Sequence, residues 1–352
     1  MNPHWIKRER IERGFAMKRK VVLVVAAVAL LAAGCGSGEG SAAGIAGMAR
    51  PLAYSLTGDV ELSYHGDMDM EMTTTFGDEI TSVDPSMPST MLTKMDMSFD
   101  TTYRVESGSE PGTYRVTMIL DDIDINDGEV EMGGYSVDLS DMPQSEIDAA
   151  MAAQMPEFVY VIDEKGSVLS VEMDGTVIDV EGLLGGTSTA GIGGGQMWGP
   201  ELPDGVVGVG DSWTTSSEEV IGDVAIVTEA THQILRAEGR SGYDTWVIRT
   251  DATTDGYTIN WDDMIAMFED RGGIAEVEGM EGMPPSFQMA IRSAPTKTTS
   301  YTWLEPNLGQ AVATEVMVNM SMTMEMGGIP GMTGSFSMDM DGYTSLVLEL
   351  NS

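Results

Sequence analysis

The feature that most restricts this chain is a two-residue period in which methionine keeps recurring on the apolar phase. From Leu52 the even positions read Leu52, Tyr54, Leu56, Val60, Leu62, Tyr64, Met68, Met70 and Met72. The odd positions between them read Ser55, Thr57, Asp59, Glu61, Ser63, His65, Asp67, Asp69 and Glu71. Successive side chains of a strand point to opposite faces, so only a half-buried β-strand separates these two sets. The period returns at Met95, Met97, Phe99 and Tyr103, set against Lys94, Asp96, Asp100 and Arg104. It is cleanest near the end, where Val316, Val318, Met320, Met322, Met324 and Met326 alternate with Glu315, Asn319, Ser321, Thr323 and Glu325. A last strand carries Phe336, Met338, Met340, Leu346, Leu348 and Leu350. Stretches this long predict curved or bent strands, with breaks at Gly58, Gly66 and Gly342.

Turn signals separate the strands: 107–112, Asp163-Glu164-Lys165-Gly166, Asp255-Gly256 and Pro306-Asn307-Leu308-Gly309. Helix is scarce. Ser145 is a plausible N-cap for a short helix to Gln154, and Trp261 to Glu269 is a second candidate. The predicted class is therefore mainly β (α+β): long curved antiparallel sheets, half-barrel-like, with a few short helices. A Gly-rich linker over 183–200 divides the body into β-rich halves at 51–182 and 201–352. No Gly-Lys-Ser/Thr ending marks that stretch as a phosphate loop. The hairpin signals beginning at Phe158 and at Tyr301 are alike, so two similar halves are one reading and a chance likeness of one hairpin pair is the other.

The first 34 residues read as a secretory signal. Lys18, Arg19 and Lys20 precede an uncharged run from Val21 to Ala33, shorter than the ~20 residues a spanning helix needs. The run ends Leu31-Ala32-Ala33-Gly34-Cys35, and Cys35 is the only cysteine in the chain. A complete signal also starts at Met17, which makes Met17 an alternative first residue. Residues 35–50 then form an acylated cysteine and a flexible tether. Two acyl chains on Cys35 anchor a protein stably, whereas one is marginal.

Charge narrows the partners. Seven basic and two acidic residues leave with residues 1–34, so the remaining 318 carry 11 basic and 54 acidic, a net of −43. Phosphate binding needs a basic face, so a nucleic-acid partner is excluded. Such a body is also repelled by anionic headgroups, which leaves the acyl group as the hold on the membrane. Catalytic patterns are missing. After the signal only His65 and His232 remain, and no Gly-x-Ser-x-Gly, Ser-x-x-Lys or His-Glu-x-x-His motif accompanies them. The expectation is a protein that is not an enzyme and needs no cofactor.

Two metal readings deserve weighing. Asp122-Ile-Asp124-Ile-Asn126-Asp127-Gly128 opens like a calcium loop, but Asp127 stands where the sharp-turn Gly belongs and Gly133 where the bidentate Glu belongs. As a strand it would place Asp122, Asp124 and Asn126 on one solvated face. The Met-x-Met runs suggest soft Cu(I) ligands, yet the same methionines share the apolar phase with Leu, Val, Tyr and Phe. Met adapts to varied apolar shapes. Thus Met68, Met70, Met72, Met95, Met97, Met320, Met322, Met324, Met338 and Met340 are candidates to line a hydrophobic or lipidic ligand site. A closed core serving a structural or adhesive surface module is the alternative, and a Cu(I) or Ca²⁺ binder a further one.

The signal, Cys35, tether and Tyr160-Val-Ile-Asp-Glu-Lys-Gly-Ser-Val hairpin resemble cell-envelope lipoproteins of the LolA and LppX/LprG kind. That resemblance implies a half-barrel sheet around a cavity for lipids, on the extracytoplasmic face of a cell membrane. Those carriers are shorter, single-domain proteins without a central Gly-rich break. Leu202-Pro203-Asp204-Gly205, continuing to Gly210-Asp211-Ser212-Trp213, is similar to a segment of uncharacterised actinobacterial lipoproteins.

Overall fold

The computed structural model describes residues 49–54, 60–78, 88–139, 143, 158–173, 176–178, 199–221, 224–263, 287–307, 309–328 and 335–351. Cys35, most of the tether, Gly58, the helix expected from Ser145 and nearly all of the Gly-rich linker lie outside these residues.

The first group of strands is β1 (Arg50–Pro51), β2 (Val60–Phe76), β3 (Thr90–Ser107), β4 (Thr113–Met132), β5 (Tyr135–Asp138), β6 (Phe158–Asp163), β7 (Val168–Met173) and β8 (Thr176–Ile178). The second group opens with β9 (Val206–Val207), β10 (Ser212–Ile221), β11 (Val224–Arg240), β12 (Tyr243–Thr254) and β13 (Tyr257–Asn260). It ends with β14 (Gln288–Ser293), β15 (Thr296–Glu305), β16 (Gln310–Gly327) and β17 (Ser335–Leu350). Strands on both sides of the Gly-rich linker join one sheet, because β17 pairs with β2 from Leu350 opposite Tyr64 to Met338 opposite Phe76. The path through the sheet is β10-β11-β12-β15-β16-β17-β2-β3-β4-β6-β7-β8. Beside it, β14 extends along β16 and carries β13, and β5 flanks β4.

The protein is thus mainly β, with long antiparallel strands in an open sheet and few helices. Of the helix expected from Trp261 to Glu269, residues 261–263 are described and are helical, and the rest lies outside the described residues; Asp263 accepts the Asn260 backbone N–H at 2.8 Å.

Two sequence expectations need correction. Strand β2 begins at Val60, not Leu52. Leu52 and Tyr54 are fully buried, at 0% and 1% exposure, but in an irregular segment. Alternate burial reports which side chains face the core, and a short extended segment satisfies it without a hydrogen-bonded ladder. Strands β2 and β17 also run unbroken through Gly66 and Gly342. At Gly66 the reason is contact: a Cβ there would sit 2.5 Å from Cζ of Phe99, directly across the ladder.

One end of the sheet is stoppered. The Tyr54 backbone N–H donates to Glu164 at 2.8 Å, and Lys165 Nζ donates to the carbonyls of Leu52 and Pro203 at 3.1 Å each. Tyr114 donates to the Tyr54 carbonyl, and Tyr54 in turn donates to the Pro200 carbonyl, both at 2.9 Å. The turn at 306–309 closes from the other side, so tightly that a Cβ on Gly309 would lie 2.7 Å from Cα of Tyr54. The β6–β7 and β15–β16 hairpins therefore clasp the same segment. Each carries a register shift just before its turn, after Val161 and after Trp303, and such irregularities bend a strand.

Candidate functional site

The inner face of the sheet is the surface on which the alternation places its apolar residues. One cross-strand row runs from Met97 through Met68 and Leu346 to Val316. The next runs from Met95 through Met70 and Thr344 to Val318. Three further rows join Met72 and Gly342 with Met320, Thr74 and Met340 with Met322, and Phe76 and Met338 with Met324. Directly opposed residues of an antiparallel pair share a face, so all ten candidate methionines lie on one continuous surface.

Burial splits the ten in two. Met68, Met70, Met72, Met95 and Met97 are buried, Met68 at 1% and Met97 at 2% exposure. All of these except Met72 belong to the main core cluster, with Tyr54, Tyr64, Phe99, Tyr103 and Trp246. Met320, Met322, Met324, Met338 and Met340 are only half-buried. The row ending at Ile291 of β14, opposite Met324, extends this half-exposed apolar surface.

The inner face also holds residues that pattern reading passed over. His232 is 3% exposed. Its Nδ1 meets the Thr250 hydroxyl at 2.8 Å, its Nε2 meets the Thr215 hydroxyl at 2.9 Å, and its ring stacks on Trp213. Burial pushes its pKa down to about 4, so it is neutral at pH 7. Ser300, Thr302, Thr314 and Thr344 are each buried on the same face. Their signal in the sequence is a hydroxyl on the apolar phase, as in Thr298, Ser300, Thr302 and Leu304. Alternation counts such residues as interruptions, which is why it misses them.

The outer face is acidic. Asp69 lies opposite Asp96, which lies opposite Asp127, and Asp100 lies opposite Asp122. His65 is half-exposed there and meets Asp100 at 2.9 Å. Asp122, Asp124 and Asn126 are exposed within β4, where Asn126 is the extra residue of a bulge and donates to Asp96 at 3.0 Å. Among the described residues no group of three or more His, Cys, Asp or Glu could hold a metal ion. At the edge, Arg115 grips Glu172 through two 2.6 Å bonds, which hold the carboxyl below its ordinary range. Burial instead raises Glu201 and Glu315 above theirs.

Among the described residues no helix is long and apolar enough to cross a membrane. No family model matches the chain, and no curated protein matches it. Among solved structures, Pseudomonas aeruginosa OccK1 (OpdK) is 6% identical, with 82% of this chain and 98% of that one covered at a TM-score of 0.17. Pseudomonas aeruginosa OpdQ gives 7% identity, coverage of 83% and 97%, and the same TM-score of 0.17. A mutant porin of Rhodopseudomonas blastica gives 8%, with 83% and 100% covered at 0.17. Scores this low carry no argument about fold or function.

Proposed function

We propose that this is a membrane-anchored extracytoplasmic lipoprotein, held through acylated Cys35, that binds a hydrophobic or lipidic ligand without catalysis on the methionine-lined inner face of its sheet. The observation that carries this reading is the burial step along one surface, from half-exposed Met320, Met322, Met324, Met338 and Met340 to buried Met68, Met70, Met95 and Met97. A polarizable, adaptable wall that passes from accessible to enclosed suits an apolar guest of irregular shape. Cys35 is the single cysteine and follows a signal-like run, which supports the anchor.

Native mass spectrometry of the body lacking residues 1–35, purified from lipid-containing cells, tests the binding. The expected outcome is a co-purified lipid mass or uptake of a fluorescent fatty-acyl probe. A clean unliganded mass with no uptake refutes it. A closed-core structural or adhesive module is the second reading, favoured by the near-complete burial of Met68 and Met97.

A further inference from the structure

The chain enters the folded body at the closed end of the sheet. Arg50 and Pro51 pair with Val207 and Val206, and Leu52 and Tyr54 then fill that end, where the Tyr64 hydroxyl donates to the Ala311 carbonyl at 2.8 Å. The half-exposed methionines lie at the other end. Along β2, the row of Tyr64 and Leu350 is about 40 Å from the row of Phe76 and Met338, at ~3.3 Å per residue. Met338 is directly opposed by Met324, and Met324 by Ile291. The strand ends opposite Arg50 therefore carry the accessible part of the apolar surface.

Reach along the chain decides which end meets the membrane. Cys35 and Ala49 are joined by 14 peptide units, which span at most about 50 Å when fully extended. A Gly- and Ser-rich chain of that length averages nearer ~20 Å end to end. With Cys35 held at the headgroups, the closed end rests close to the bilayer. Turning the methionine end to the same bilayer would lift Arg50 about 40 Å or more away from it, and would pull the tether almost straight at a cost in conformational entropy. Charge specifies what the methionine end can meet instead. Glu71, Asp78, Glu131, Asp339 and Asp341 are exposed toward that end, and Lys94 and Arg292 beside them are already paired with Glu71 and Glu325. An anionic leaflet repels such a rim, whereas a zwitterionic one does not.

We infer that the methionine end faces away from the anchoring bilayer and exchanges its guest in trans, with a second, zwitterionic lipid surface. The inference rests on the lipid-binding reading above and adds the direction of exchange to it.

The test anchors the full acylated chain in phosphatidylcholine nanodiscs. Cys35 is the only cysteine and carries the anchor, so Asp204→Cys at the closed end and Asp339→Cys at the methionine end each give one exposed site for a fluorophore. Energy transfer to an acceptor lipid in the nanodisc should be several-fold stronger from residue 204 than from residue 339. A fluorescent phosphatidylcholine, placed either in the anchoring nanodisc or in separate phosphatidylcholine vesicles, then reports the direction of exchange. The expected result is uptake from the vesicles at least about tenfold faster than from the nanodisc, and slower when the vesicles contain phosphatidylglycerol. Inserting about 30 Gly and Ser residues after Gly36 narrows the difference, because the longer tether lets the methionine end reach its own bilayer. Equal energy transfer from the two labels, uptake from the nanodisc as fast as from the vesicles, or no effect of the longer tether overturns the orientation. Uptake of a dissolved fluorescent fatty acid with none from the vesicles overturns the second lipid surface. No uptake from any source refutes the lipid reading itself.

Discussion

The guanidinium of Arg240 lies 4.0 Å from the centre of the Trp303 ring, on the face of the sheet turned away from the methionines. The Trp303 indole donates to Glu238, which also accepts from Arg236 Nε at 2.6 Å, while Arg240 reaches Glu349 at 3.3 Å. Trp303 is 3% and Arg240 9% exposed, so the pair is buried together on this face, where Trp303 packs with Val247 and Ala313 in a small cluster apart from the main core. Arg240→Lys loses the flat stack and the forked contact. The urea midpoint should fall by the equivalent of about 1–2 kcal/mol, and Trp303→Ala should cost roughly 3–5 kcal/mol.

His232 gives a pH prediction. Its folded pKa, about 4, is below the ~6.5 of an unfolded chain, so the unfolded state takes up the proton first as pH falls. This contribution is complete above pH ~6.5, is lost as pH drops toward 4, and amounts to about 3 kcal/mol. Carboxylates titrate over the same window, so the difference between the native protein and His232→Gln isolates it. Urea midpoints from pH 7.5 to 4.5 should converge, the native protein losing more than the variant.

Gly66 and Phe99 predict a rescue. The absent Cβ leaves room for the Phe99 ring, whose Cζ would be 2.5 Å away. Gly66→Ala should destabilise by about 1–3 kcal/mol. In a Phe99→Leu background the same change should cost markedly less in thermal unfolding.

The two groups of methionines should respond differently to polar substitution. Met68→Gln or Met97→Gln buries an amide in the core, and should cost about 2–5 kcal/mol by chemical denaturation. Met322→Gln with Met340→Gln alters a half-exposed pair directly opposed across β16 and β17. Its stability should change by under about 1 kcal/mol, while uptake of an acyl probe falls several-fold.

The stopper at the closed end makes a prediction about order. Tyr54→Phe removes the bond to the Pro200 carbonyl and should cost about 1 kcal/mol. Gly166→Ala places a Cβ 2.5 Å from the Tyr54 ring at φ +87° and should cost more. Faster limited proteolysis after residue 48 in both variants would show that the segment has been loosened.

By itself the sequence determined the alternation of four long strands, β2, β3, β16 and β17, and which of their residues face inward. The reason is that side-chain alternation is a local property of the backbone, so Met68, Met70 and Met72, or Met320, Met322 and Met324, declare their phase wherever the strand ends up. Tertiary structure alone decided that β17 pairs with β2, which sets residues at opposite ends of the chain, such as Leu346 and Met68, side by side. Pairing partners depend on long-range register, which no local pattern records. It also decided that Leu52 and Tyr54 fill the end of the sheet rather than extend a strand, because two distant turns close around them. The hydroxyl wall of Ser300, Thr302, Thr314 and Thr344 was legible only as noise in the apolar phase. It became a surface once three strands brought those side chains together on the inner face.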